Sequence, residues 1–147
     1  MKKIVLIAAV LAAACFAVIY TGVIIPDKAR VSTPTAAIDD PIARLFSDRR
    51  SGVQVQGSGI VIKILPDDND GSRHQRFIIR LATGQTLLVA HNIDQAVRIE
   101  TLETGDSLGF SGEYEWNPEG GVIHWTHRDS AGRHLPGWII HKGKKYW

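Results

Sequence analysis

Val53-Gln54-Val55-Gln56-Gly57-Ser58-Gly59-Ile60-Val61-Ile62-Lys63-Ile64 is the stretch on which the reading of the fold turns. Val53 and Val55 alternate with Gln54 and Gln56, the pattern of a strand with one buried face. Beyond Gly57-Ser58-Gly59 the apolar parity moves to Ile60, Ile62 and Ile64. A slip of one residue turns every side chain to the opposite face, so a straight strand cannot bury both sets. A bulge or sharp bend at Gly57–Gly59 resolves the conflict, and glycine is the residue that tolerates it. A long, bent first strand is what a small closed barrel requires.

The chain on either side reads the same way. Pro66-Asp67-Asp68-Asn69-Asp70-Gly71 is a turn; an EF-hand register would put Pro66 and Phe77 at ligand positions, which excludes that reading. Phe77–Leu81 and Thr86–Ala90 form a hairpin, with Gly84 able to take the left-handed position. Leu108, Phe110, Tyr114 and Trp116 alternate with polar and small residues, giving the clearest half-buried strand. Asn117–Gly121 turns the chain, Val122–Thr126 returns, and Trp138–His141 can add one more strand. Before β structure begins, Asp40 caps a short helix whose first position suits Pro41, with Ile42, Leu45, Phe46 and Arg49 on one face and Gly52 at its end. The expected fold is therefore mainly β: a five- to six-stranded OB-like barrel of the oligonucleotide/oligosaccharide-binding type with one short helix.

The N-terminus has a different character. Lys2 and Lys3 precede Ile4–Ile25, a run without charge. As a helix it spans about 33 Å, enough for a bilayer core. The expected organisation is a transmembrane anchor over 1–25, a linker over 26–39 and an exported barrel over 40–147. The flanking lysines hold the N-terminus in the cytoplasm and put the barrel in the periplasm of a bacterial inner membrane. A cleaved signal peptide and a lipoprotein acylated at Cys15 are the rival readings of the same run. Cys15 is the only cysteine, so the barrel has no disulfide, thiolate metal site or thiol nucleophile. Without Lys2 and Lys3, 15 basic residues stand against 15 acidic ones, which disfavours nonspecific nucleic-acid binding.

Chemistry concentrates late in the chain. Three of the six histidines, His124, His127 and His134, fall within eleven positions, interleaved with Trp125, Arg128 and Asp129. If Trp116 opposes Val122 in the hairpin, Tyr114 opposes His124 and Glu113 opposes Trp125, and opposed residues share a face. That register packs His124 inside and gathers His127, Asp129, Glu113 and Trp125 outside. A carboxylate beside an imidazole can fix its tautomer and raise its basicity. His127, Asp129 and Glu113 are thus the candidate acid–base residues, with Arg128 or Arg76 to stabilise negative charge. His91, Asp94, Trp125, Arg128, His134 and Trp138 are candidate ligand-binding residues. A zinc-type ion would draw on His91, His127, Asp129 and His134.

Leu65-Pro66-Asp67-Asp68, Gly71–Phe77, His91-Asn92-Ile93-Asp94, Gly112–Asn117 and His124–Asp129 together resemble a bacterial domain-of-unknown-function family, number 3465, over about Leu45–Tyr146. The resemblance implies no activity, cofactor or catalytic residue. The residues themselves favour a binding or interaction module for a small polar, carbohydrate or nucleotide-like ligand. A phosphodiester- or glycan-type hydrolase using His127 and Asp129, and a structural envelope protein, are the alternatives.

Overall fold

The computed structural model describes residues 40–147. The apolar run 4–25 and the linker 26–39 lie outside the described residues; among these, no helix is long and apolar enough to cross a membrane. The elements are α1 (Pro41–Ser47), β1 (Val53–Ile64), β2 (His74–Arg80), β3 (Thr86–Asn92), β4 (Ser107–Glu115), β5 (Val122–His124), β6 (Trp138–His141) and β7 (Lys144–Tyr146).

Five strands close on themselves in the order β1-β2-β3-β5-β4, with β4 pairing back to β1. The β3–β5 pairing is parallel and the other pairings of the ring are antiparallel. β6 and β7 are additional. β4 carries β1 along one edge and divides its other edge, Leu108–Ser111 going to β6 and Glu113–Glu115 to β5. The chain between β5 and β6 leaves the barrel at that fork.

The fork needs two residues without side chains. A Cβ on Gly112 would stand 2.4 Å from the His124 carbonyl oxygen and 2.8 Å from Ile123 Cγ2. A Cβ on Gly137 would overlap the carbonyl oxygens of Trp125 and Ser111. Any larger residue at either point pushes the strands apart.

Inward side chains alternate as a half-buried barrel demands. Phe77, Ile79, Leu87, Val89, Leu108, Phe110, Tyr114, Ile123 and Ile139 are all buried. Burying each side chain of this size contributes about 1.5–3 kcal/mol. Helix α1 adds Ile42 and Leu45 to the same core. Asp40 caps the helix as expected, accepting the Ile42 amide at 2.8 Å. The helix stops at Asp48, short of Gly52, because Arg49 turns left-handed at φ 51°. Arg49 and Phe46 face Trp116, whose indole Nε1–H donates to the Phe46 carbonyl at 3.1 Å.

The first strand is long, as expected, but the parity does not change at its glycines. Pairing with β4 runs unbroken from Val53 to Ile60, so Val55, Gly57, Gly59 and Val61 all share the inner face. The register shift comes later, between Val61 and Lys63. Ile60 is left 39% exposed outside, which is why its apolar character misplaced the bend. The glycines answer to packing. A Cβ on Gly57 would come within 2.8 Å of the Phe110 ring, and one on Gly59 within 3.2 Å of Ile79. Strand β1 passes directly over these two core residues as it changes partner from β4 to β2.

Replacing Gly57 and Gly59 together with valine is therefore expected to destabilise the barrel by about 2–6 kcal/mol, through overpacking at two sites. Urea unfolding of the double variant checks this; an unchanged midpoint would mean that the strand does not cross Phe110 and Ile79 closely.

Candidate functional site

The β4–β5 hairpin is one residue out from the expected register. Glu115 opposes Val122, Tyr114 opposes Ile123 and Glu113 opposes His124. The turn explains the offset. Trp116 leaves the ladder for α1, and its amide donates to Ser51 Oγ at 2.9 Å. Asn117 Oδ1 accepts the amides of Glu119 and Gly121 at 3.1 and 2.8 Å. Gly120 and Gly121, at φ 124° and 112°, pass so close to Thr86 and Tyr114 that no side chain fits. Ile123 therefore fills the interior beside Tyr114, and His124 faces out with Glu113 and Glu115.

The outer face of β2, β3, β5 and β4 holds a groove of about 400 Å³. Leu88, Ala90 and Val122 form an apolar floor, and Asp68, His74, Arg76, Glu115 and His124 stand around it. His124 Nε2 lies 3.6 Å from Glu113 Oε1 and 3.9 Å from Glu115 Oε1, beyond hydrogen-bond distance. The nitrogen is covered from solvent and has no hydrogen-bond partner. Burial lowers the His124 pKa, and the two carboxylates oppose that shift. Trp125, left-handed at φ 51° and 37% exposed, sets its ring 5.3 Å from that of His124.

Trp125 also joins this groove to a second cluster on the loop that leaves the fork. His134 stacks on Trp125 at 4.4 Å and meets the edge of His127 at 4.9 Å. His127 is buried and donates Nδ1–H to the Arg128 carbonyl at 2.7 Å; His134 donates to the Leu135 carbonyl at 2.8 Å. A carbonyl can only accept, so Nδ1 is the donor in each ring; neither Nε2 has a hydrogen-bond partner, and Asp129 Oδ2 lies 4.0 Å from that of His134. Burial lowers the His127 pKa, and His134 adds to the shift.

Asp129 organises this loop. Its carboxylate, 1% exposed, accepts the amides of Ala131, Arg133 and His134 and the Arg133 guanidinium. Arg133 and these amides hold its pKa far below the usual carboxylate range. The expected pairing of Asp129 with the His127 imidazole is absent: the Asp129 oxygens face Arg133, and His127 is oriented by a backbone carbonyl.

His91 does not join as a ligand either. It lies inside the barrel on β3, where its Nε2–H donates to the Val97 carbonyl at 3.3 Å and its Nδ1 accepts from the Thr126 hydroxyl at 2.8 Å. Both ring nitrogens are engaged, so none is free for a metal. Of the four expected metal ligands, His127 and His134 meet, His91 stands behind them through Thr126, and Asp129 is bound to the loop. Among the described residues, the histidine–carboxylate group whose ligand atoms all lie within 4.8 Å is Glu113, Glu115 and His124.

The remaining candidates have structural partners. Asp94 accepts the Arg73 amide and guanidinium at 2.8 and 2.7 Å. Arg128 lies over the Trp147 ring at 3.2 Å, and Trp138 opens β6 beneath Lys145. Sequence reasoning passed over His74 and Glu115. Both sit at outward positions of β2 and β4, and the corrected register supplies the signal that finds them. It also passed over His141, whose Nε2 lies 2.7 Å from Asp106. The Glu103 amide and His141 hold the Asp106 carboxyl down at about 2.

These features define a small closed barrel with a histidine- and carboxylate-bearing outer groove. The chain belongs to a family described as protein of unknown function (DUF3465), which it matches over residues 24–147. A search of curated proteins finds no match.

The corrected register reverses the behaviour of the two histidines. His127→Ala is expected to lower stability by about 1–3 kcal/mol, through a cavity and an unpaired carbonyl. His124→Ala should leave the melting temperature within about a degree or two, as surface changes usually do. Thermal unfolding of both variants checks the assignment, and the opposite order would restore the register with His124 inside.

His91 gives a pH signature. Burial lowers its pKa from 6.5 to about 4 in the folded state. The unfolded chain takes up the proton first as pH falls, so the associated stability is intact above 6.5 and is lost on the way down to about 4. The full loss is roughly 3 kcal/mol. Urea midpoints across this window should fall more steeply for the native chain than for His91→Gln; parallel curves would remove His91 as the cause.

Proposed function

We propose that this chain is a binding module for a small polar ligand of the carbohydrate class, carried outside the bacterial inner membrane by its N-terminal apolar run. The observation that carries the proposal is the outer groove. An apolar floor with a few convergent polar groups is the usual composition of a small-ligand site. Arg76, His74, Asp68 and Glu115 offer both donors and acceptors, which suits hydroxyl-rich molecules, and Trp125 stands beside His124 as a stacking surface.

The strand order supports an OB-like reading of the barrel. Such barrels take oligosaccharides and oligonucleotides on the outer face of their second and third strands, and the groove lies there. That step is an analogy of fold, so the residues must carry the chemistry. The acidic groups on the rim and the balanced charge of the domain favour a neutral glycan fragment over a polyphosphate. The hydrolase alternative retains one supporting feature, the unpartnered Nε2 of His127. It lacks the orienting carboxylate, because Asp129 is held by Arg133 and the loop amides.

Titration calorimetry with neutral oligosaccharides and with mononucleotides tests the proposal. Saccharide binding is expected, and Arg76→Ala and Trp125→Ala should each weaken it on the order of tenfold, equal to about 1.4 kcal/mol. Saturable binding of neither class at millimolar concentration would overturn the reading and leave a structural role. Binding that survives both substitutions would move the site elsewhere.

A further inference from the structure

The rim of the groove carries a feature that ligand binding alone does not account for. Glu113 and Glu115 are alternate residues of β4, so both project from the same face, and His124 of β5 stands directly opposite Glu113. Three potential ligand atoms from two hydrogen-bonded strands therefore meet within 4.8 Å. We propose that Glu113, Glu115 and His124 bind a divalent ion of the zinc type.

The spacing supports coordination better than hydrogen bonding. His124 Nε2 stands 3.6 and 3.9 Å from the two carboxylates, too far for either to accept a proton from it. Ligands about 2.0–2.2 Å from a shared ion, at tetrahedral or slightly wider angles, stand roughly 3.3–3.8 Å apart. A contraction of a few tenths of an ångström brings each carboxylate to that spacing from His124, and the two carboxylates already lie within 4.8 Å of each other. His124 Nε2 is independently marked as a ligand atom: it is shielded from solvent and no hydrogen-bond partner satisfies it. A buried polar atom without a partner is costly, and an ion bound there removes the cost.

Charge points the same way. Two carboxylates converge on the one imidazole nitrogen. A divalent cation balances both carboxylates, and one nitrogen with two oxygens is a donor set that zinc accepts. Sheet pairing holds the backbone of both strands, so the ligands need little reorganisation. Glu115 and His124 also line the groove, which turns the remaining coordination positions toward its contents. His74 faces the same groove but stands outside the set of ligand atoms that converge within 4.8 Å. An open position of this kind would hold water or a sugar hydroxyl.

The test uses zinc alone, with no saccharide present, so its outcome is separate from that of the groove titration. The full-length chain is stripped with a chelator and titrated with zinc against a chromophoric competitor. One equivalent per chain is expected, with a rise in melting temperature on zinc addition. The isosteric pair Glu113→Gln/Glu115→Gln keeps the fold and should lose both the uptake and the rise, as should His124→Ala. His134→Ala should retain them. Absence of stoichiometric uptake by the native chain would overturn the proposal. So would uptake that persists without His124 and the two carboxylates but disappears in His134→Ala, which would assign the metal to the imidazole pair on the loop.

Discussion

Asn117 holds the β4–β5 turn by accepting the amide protons of Glu119 and Gly121, while Gly121 lies against the Tyr114 ring. Two hydrogen bonds and one contact without room for a Cβ thereby choose between two registers. Side chains alternate along a strand, so the choice assigns every residue of β5 to a face. It sends Ile123 into the core and His124 outward to Glu113 and Glu115. Tyr114 is anchored by the same turn, its hydroxyl donating to the Gly120 carbonyl at 3.2 Å. Core packing and groove composition are consequences of one geometric decision.

The fork in the edge of β4 makes the second contribution. With β5 on one part of that edge and β6 on the other, the intervening chain must leave the sheet between them. Gly112 and Gly137 permit the close crossing, and the Gly137 amide donates to the His127 carbonyl at 2.9 Å. The loop is then set by Asp129, which gathers three of its amides and Arg133. The outcome is two histidine clusters that share Trp125. One contains His124 with two carboxylates; the other contains His127 and His134, each oriented by a backbone carbonyl. Their charges differ: two carboxylates face the first, whereas the second has one, Asp129, which lies 4.0 Å from His134 Nε2 and is already held by Arg133.

Much of this was legible in the sequence. The alternation through Leu108–Tyr114, the hairpin at Gly84, the Asp40 cap and the closed mainly-β architecture follow from periodicity and turn chemistry that act locally. What failed depended on contacts distant in sequence. The glycines of β1 read as a bulge because their use, clearance for Phe110 and Ile79, involves residues far along the chain. Trp116 read as a core strand residue because its alternation continues past Glu115; its actual partners, Phe46 and Ser51, lie on and after α1. That error carried the register with it, placing His124 inside and Glu113 beside Trp125. Asp129 looked like a partner for His127, whereas Arg133, four residues on, captures it. The histidine-rich segment stands out in the sequence, but which of its side chains meet required the pairing of strands.

The pairing of Glu113 with His124 is thus the central claim, since groove, metal ligands and buried imidazoles are all assigned from it. Cross-strand nuclear Overhauser contacts measure it without reference to any ligand. The account predicts backbone contacts joining Glu113 to His124 and Tyr114 to Ile123, with the Ile123 side-chain methyls close to the Tyr114 ring. Contacts joining Tyr114 to His124 and Glu113 to Trp125 would contradict it and turn the groove's histidine into the core.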